Sequence, residues 1–246
     1  MTRCLVVQHL EPEGPYRIAE SLAALGVATE RCRVFAGDEV PVDVSGFDGL
    51  VVMGGPMSAS GDEGFPSRAA ELELMADALT QDVPVLGVCL GAQLLALAAG
   101  GRVYRGAQGP EIGWIPVQLT DESQSDLLLA GLQSPLWVLH WHGDTFDLPP
   151  SSIRLARSDL YPNQAFRVGD SAWGLQFHLE VDGDALAAFM GSFGDDACAE
   201  GVPPEAIWDP APSCLMSLEP VSRSVFGRFA TLVCERSVNR DNSSCL

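Results

Sequence analysis

Gly87-Val88-Cys89-Leu90-Gly91 sets a cysteine between two glycines inside "PVLGVCLGAQLLALAAGG", a run (residues 84–101) that carries no charge. The pattern glycine-x-nucleophile-x-glycine is the form of a strand-to-helix elbow, where the glycines give a tight turn the room that it needs. At such an elbow the sulfur stands at the N-terminus of a helix, where free amides and the helix dipole favour a thiolate. A thiolate nucleophile needs a base that also protonates the leaving group, and that base needs an orienting carboxylate. His178 and Glu180 in "GLQFHLEV" are the candidates. They follow an apolar run, and residues two apart on a strand face the same side.

These side chains must be held by regular elements. Apolar runs at residues 4–10, 29–35 and 49–53 read as strands, the last ending at Gly54 and Gly55, with helices expected at residues 16–25 and 66–81. The run around Cys89 continues the order as buried strand, turn and helix, ended by Gly100 and Gly101. Pro84 and the glycines break it into pieces too short to span a membrane. This βαβ…βα order predicts an α/β fold, a mostly parallel central sheet with helices on both faces. Further strands are expected at residues 114–119, 136–142, 153–158, 164–169 and 172–178, the last closing the sheet. Beyond Asp182 the character turns helical, at residues 183–193 and 222–236, with the Pro-rich "GVPPEAIWDPAPS" between them. Residues 1–190 therefore read as a catalytic domain and residues 191–246 as a helical extension packed on it, with a polar, frayed end from residue 237.

Composition narrows the partners. A formal charge of −19, from 33 acidic and 14 basic residues, leaves no basic stripe for nucleic acid or an anionic membrane. Seven cysteines lie scattered without CxxC spacing, and an odd number fits reduced thiols in a cytoplasm better than a disulfide framework. His140 and His142 lie two apart, but the sequence sets no further ligand beside them, so no metal is expected. No secretory signal is apparent at the N-terminus.

"VMGGP" (residues 52–56), "GVCLGAQ" (87–93) and "GLQFHLE" (174–180) occur in that order, and together they resemble the class I, or triad, glutamine amidotransferase domain. The resemblance covers about residues 1–190 and implies a flavodoxin-like fold. It implies a triad of Cys89, His178 and Glu180, and an oxyanion hole made by the backbone amides of Gly55 and Leu90. Gly54 and Gln93 would contact the glutamyl group. His142, Gly143 and Asp144, in "VLHWHGDTFDLP", would meet its α-amino and α-carboxylate end, with Asp144 suited to an ammonium. "GPEIGW" and "NQAFRVG" are similar to the free-standing branch near the amidotransferase domain of GMP synthase, a branch that includes hydrolases of γ-glutamyl compounds. Leu179 departs from the family, most of which has proline between the histidine and the glutamate.

The resemblance implies hydrolysis of a γ-glutamyl amide through a γ-glutamyl thioester, with a small-molecule substrate and no cofactor. Two classes stay open: a self-sufficient hydrolase, or a glutaminase subunit that passes ammonia to a separate synthetase. The chain carries no P-loop or other ATP-using motif of its own. A homodimer stays open as well.

Overall fold

The computed structural model describes residues 1–243. In chain order its elements are β1 (Arg3–Gln8), α1 (Tyr16–Ala24), β2 (Ala28–Arg33), β3 (Gly49–Val52), α2 (Arg68–Thr80), β4 (Val85–Val88) and α3 (Leu90–Ala98). There follow β5 (Arg102–Arg105), β6 (Glu111–Leu119), β7 (Leu136–His142), β8 (Asp144–Asp147), β9 (Ile153–Arg157), β10 (Ala165–Val168) and β11 (Ala172–Leu175). The chain ends in α4 (Gly183–Ala199), α5 (Pro204–Trp208) and α6 (Ala211–Ser243).

A nine-stranded sheet has the order β2-β1-β3-β4-β11-β10-β9-β6-β7. Pairing is parallel from β2 through β11 and antiparallel beyond, so the parallel half is the part that carries the elbow. β5 and β8 form a separate two-stranded ribbon that the sequence reading did not anticipate. All four residues of β3, β4 and β11 are buried, as strands covered on both faces must be. Val52 and Gly174 both stand opposite Gly87, so the chain leaves β3, β4 and β11 at one level of the same sheet edge. That edge is where ligands bind in open α/β sheets.

Three expectations need correction. β11 does not close the sheet. It lies between β4 and β10, and it ends at Leu175 rather than running on to His178. A wholly apolar strand is suited to a central place, and its neighbours follow from crossovers that a linear pattern does not display. The Pro-rich segment holds a short helix, α5, with Pro204 in its first turn, where the missing N–H costs nothing. Finally, the polar stretch from residue 237 does not fray within the described residues. It continues α6, a helix of 33 residues that passes through Pro220. Residues 244–246 of that stretch lie outside the described residues.

Buried residues of α6 recur at helical spacing, among them Leu218, Val225, Phe226, Phe229 and Val233. They lay one stripe of α6 on the core beside α1. Arg228 donates to the carbonyls of Leu128 and Ala130, and the Trp114 indole donates to the Ile207 carbonyl at 3.1 Å, which ties α5 to β6. Among the described residues no helix is long and apolar enough to cross a membrane.

Candidate active site

The elbow is built as its glycines require. Cys89 caps α3 with φ 51° and ψ −105°, a conformation that costs a non-glycine residue about 1–3 kcal/mol. A Cβ on Gly91 would run into the Val52 carbonyl, and one on Gly87 into the backbone of Gly91. The turn therefore closes only with glycine at both places. Cys89 donates its N–H to the Leu175 carbonyl at 2.8 Å, which locks the elbow to the end of β11. Its sulfur lies 3.8 Å from the Trp141 carbonyl oxygen and 3.7 Å from the Gln176 amide nitrogen. Leu90 opens α3, so its N–H has no partner within the helix.

Past β11, His178 donates its backbone N–H to Leu139 at 2.8 Å, in an antiparallel bridge beyond the strand proper. Its Nδ1 lies 2.6 Å from Glu180 Oε1, with both side chains buried. A carboxylate on Nδ1 leaves Nε2 for the reacting groups. Burial alone would lower the pKa of His178. The Glu180 carboxylate, with hydrogen bonds to Cys89 and Glu180, overcomes that and carries it well above the ordinary 6.5. Phe189 of α4 packs edge-on against the ring at 5.0 Å. Leu179 is fully buried, and its carbonyl accepts from Ser222 of α6, so the position where the family has proline is pinned by the C-terminal helix.

Cys89 opens into a cleft of about 420 Å³, within the usual range for small-ligand sites. Gly55, Leu90, Gln93, His142, Gly143 and Asp144 line it, so six of the anticipated residues converge there with the cysteine. His178, Glu180 and Gly54 lie outside the lining. The Gln93 amide nitrogen is 3.2 Å from Gln176 Oε1 and 3.5 Å from the Asp144 carbonyl. At the far end Asp144 is held by the Ser58 hydroxyl at 2.6 Å, with Arg105 at 3.9 Å. Arg105 is 64% exposed and lies at 4.0 Å from Glu200 as well.

The sequence reading missed Arg105, and it missed Asp196 of α4 and Glu200 just after that helix, which form another part of the cleft wall. It also missed a third group beside the two histidines of β7. Glu111 Oε2 lies 3.1 Å from His142 Nε2 and 3.7 Å from His140 Nδ1, brought there by the β6–β7 pairing. That register signal is visible only once the two strands are paired. Two of these three side chains have further protein partners, while His140 Nε2 is buried with no hydrogen-bond partner among the described residues. Gln164 donates to Glu111 at 2.5 Å, and His142 Nδ1 donates to the Asp144 carbonyl at 3.0 Å. Burial, then the charges of His142 and His178, hold the pKa of His140 well below its ordinary value. The trio braces His142 against the cleft wall.

Glu13 carries a pH effect of its own. It is buried at the cleft, its Oε2 has no hydrogen-bond partner, and burial pushes its pKa up to about 7, with His178 and His9 pulling the other way. A raised carboxyl pKa means stability that is present below the unfolded value of 4.5 and lost as pH rises through about 7. Glu13→Gln removes that loss. It is expected to stabilise the fold at pH 8 by on the order of 3 kcal/mol and to change little at pH 4. Thermal melts across that range check it, and a constant difference between variant and wild type would refute it.

A cysteine elbow, an imidazole–carboxylate pair and a small polar cleft, gathered at the C-terminal edge of parallel strands, define an α/β protein with its candidate site at the sheet edge. Residues 15–190 match the family model for glutamine amidotransferase class-I, and the chain belongs to that family. The glutamine amidotransferase-like protein YfeJ of Salmonella typhimurium is 38% identical over 162 residues, covering 64% of this chain and 67% of that one. A glutamine-hydrolyzing GMP synthase of Porphyromonas gingivalis is 38% identical over 152 residues, which are 61% of this chain but only 28% of the relative. A crystal structure of a glutamine amidotransferase from Thermotoga maritima superposes with a TM-score of 0.84 at 30% identity, over 93% of this chain and 98% of the other.

Proposed function

We propose that the chain hydrolyses a γ-glutamyl amide bond with Cys89 as nucleophile. The observation that carries this is the Cys89 elbow, backed by the His178–Glu180 pair, at one end of a cleft that holds Asp144 and Arg105 at the other. The sulfur attacks the γ-carbonyl while its proton rests on His178. The oxyanion receives N–H donors from Leu90 and Gly55, each worth roughly 3 kcal/mol. Collapse of the tetrahedral species breaks the C–N bond as His178 protonates the departing nitrogen, leaving a γ-glutamyl thioester and a free amine or ammonia. Water, deprotonated by His178, then cleaves the thioester to glutamate and restores the thiol. Asp144 suits the α-ammonium and Arg105 the α-carboxylate, with Gln93, His142 and Gly143 shaping the space between them.

In this reading residues 1–190 form the catalytic domain and residues 191–246 its helical extension. The division is not clean, because α4 begins at Gly183 and carries both Phe189 against His178 and Asp196 at the cleft. Six free cysteines among the described residues suit a reducing compartment such as the cytoplasm. A substituted γ-glutamyl amine or peptide is the expected substrate, since a free-standing hydrolase with strong glutaminase activity would drain glutamine. Release assays on the isolated protein should give a higher kcat/KM for such an amide than for glutamine.

The second reading is a glutaminase subunit. It draws on the GMP synthase relative, of which this chain matches little more than a quarter. A synthetase would then be a separate partner. Glutamine as the better substrate, or turnover only after a synthetase is added, decides for this reading.

A further inference from the structure

His9, the residue after β1, takes part in none of these steps, yet it is fully buried beside them. Its Nδ1 lies 2.8 Å from the Gly54 carbonyl oxygen and its Nε2 lies 2.7 Å from Glu71 Oε2 on α2. Both side chains are 0% exposed. A carbonyl can only accept, so Nδ1 carries a proton and donates it. The contact with Glu71 needs a second proton between imidazole and carboxyl. Burial works against the charged ring, but the hydrogen bond and charge of Glu71 outweigh it and raise the pKa of His9. The arrangement is an imidazolium–carboxylate pair whose other hydrogen bond goes to the carbonyl of Gly54.

That carbonyl shares a rigid plane with the N–H of Gly55, and the two point in opposite directions across it. Anchoring the oxygen on its outer side therefore fixes where the N–H points on the inner side. Gly55 forms part of the cleft wall beside Cys89. A Cβ on Gly55 would come within 2.7 Å of Leu90 Cδ2 and 2.9 Å of His9 Cβ, so the peptide is wedged between His9 and the residue that offers the other amide. Phe65 closes the far side of the imidazole, edge-on at 5.7 Å. Donation to the carbonyl also polarises the peptide and strengthens its N–H as a donor.

We propose that the buried His9–Glu71 pair is a positioning device, holding the Gly54–Gly55 peptide so that the Gly55 N–H meets the oxyanion formed when Cys89 attacks. The proposal rests on the γ-glutamyl amide hydrolysis proposed above, and it assigns His9 no contact with substrate.

The test compares two polar replacements at one position. In His9→Asn the side-chain amide falls where Nδ1 was and still donates to Gly54. In His9→Gln it falls where Nε2 was and keeps Glu71 instead. With γ-glutamyl-p-nitroanilide, His9→Asn should stay within about fivefold of the wild-type kcat and His9→Gln should fall by about 30-fold or more, toward the loss seen when an oxyanion donor is removed. KM should move by less than about threefold in both, since the donor acts on the transition state. Iodoacetamide alkylation of Cys89 needs the sulfur but builds no oxyanion, so its rate should be unchanged in both.

Equal kcat in the two variants, or alkylation that falls in step with kcat, overturns the proposal. Should position 9 not tolerate replacement, Glu71→Gln and Glu71→Ala carry the same test from the other partner. Glu71→Gln still holds the ring and Glu71→Ala releases it, so only the alanine variant should lose about tenfold or more in kcat with alkylation intact. No loss in Glu71→Ala overturns the proposal. Wild-type protein that is alkylated at Cys89 but cleaves no γ-glutamyl amide brings down the reading of function, and the proposal with it.

Discussion

Cys89→Ala is expected to lose γ-glutamyl hydrolysis by at least about 10⁴-fold in kcat while remaining folded, because in the proposed mechanism the lost group is the one that forms the bond. The backbone at position 89 makes the same steric demand of alanine as of cysteine, so the elbow survives the change. Glycine does better there. Cys89→Gly relieves most of the about 1–3 kcal/mol stored at the positive φ, and it should melt above Cys89→Ala while being equally inactive. A more stable dead variant is the signature of a residue kept in place for its chemistry. The proposed mechanism gives the remaining cysteines no such role. Burial pushes the Cys4 thiol far up and the Cys32 thiol up to about 11, so both are inert, and alanine at either should leave turnover in place. Turnover retained by Cys89→Ala would end the mechanism.

What could be read in the sequence was whatever is local. Cys89 announces itself because its glycines, its preceding apolar strand and its following helix are contiguous, and the structure needs each of them within a few residues. His178 and Glu180 are legible for a similar reason, since their relation to each other is two residues long. The prediction that one strand would carry both was less successful, because β11 stops at Leu175 and the bridge from His178 to Leu139 takes over. That bridge pairs positions far apart in the chain, and no periodicity within one segment contains it.

Contacts around the site between residues far apart in the chain were not legible at all. His9 meets Glu71 across 62 positions, and Gly54 across 45. In the sequence His9 is one histidine at the end of an apolar run and Glu71 one acid on an amphipathic helix. Only the folded chain, which brings Glu71 of α2 to the residue after β1, makes them a pair. Glu111 reaches His142 through strand register, and Arg105 reaches Asp144 through the β5–β8 ribbon, which sequence patterning did not show. The C-terminal helix failed differently. Its polar end reads as a frayed tail by composition, but the buried stripe of α6 upstream nucleates a helix that polar residues can simply extend.

His178→Asn is expected to be as damaging as Cys89→Ala, while Glu180→Gln should retain about 10–100-fold more activity than His178→Asn, because an orienting group is worth less than the base that it orients. The pH profile separates the roles. His178 stays protonated well above 6.5 chiefly because the Glu180 carboxylate opposes the effect of burial. As pH rises through the raised folded pKa, the imidazolium needed to protonate the leaving nitrogen is lost, and the rate falls on its alkaline limb. Without the carboxylate, burial acts unopposed by its charge, so that limb should move to lower pH in Glu180→Gln. Stability should follow the same sign. The raised pKa of His178 contributes stability that is complete below 6.5 and disappears as pH rises through the folded value, and Glu180→Gln should remove that slope. Glutamine also tends to donate to Nδ1 rather than accept from it, which favours the wrong tautomer and adds a rate loss at every pH. If Glu180→Gln kept both the wild-type rate and the wild-type alkaline limb, Glu180 would be a buried acid with no part in the chemistry, and Cys89 and His178 would have to act as a dyad.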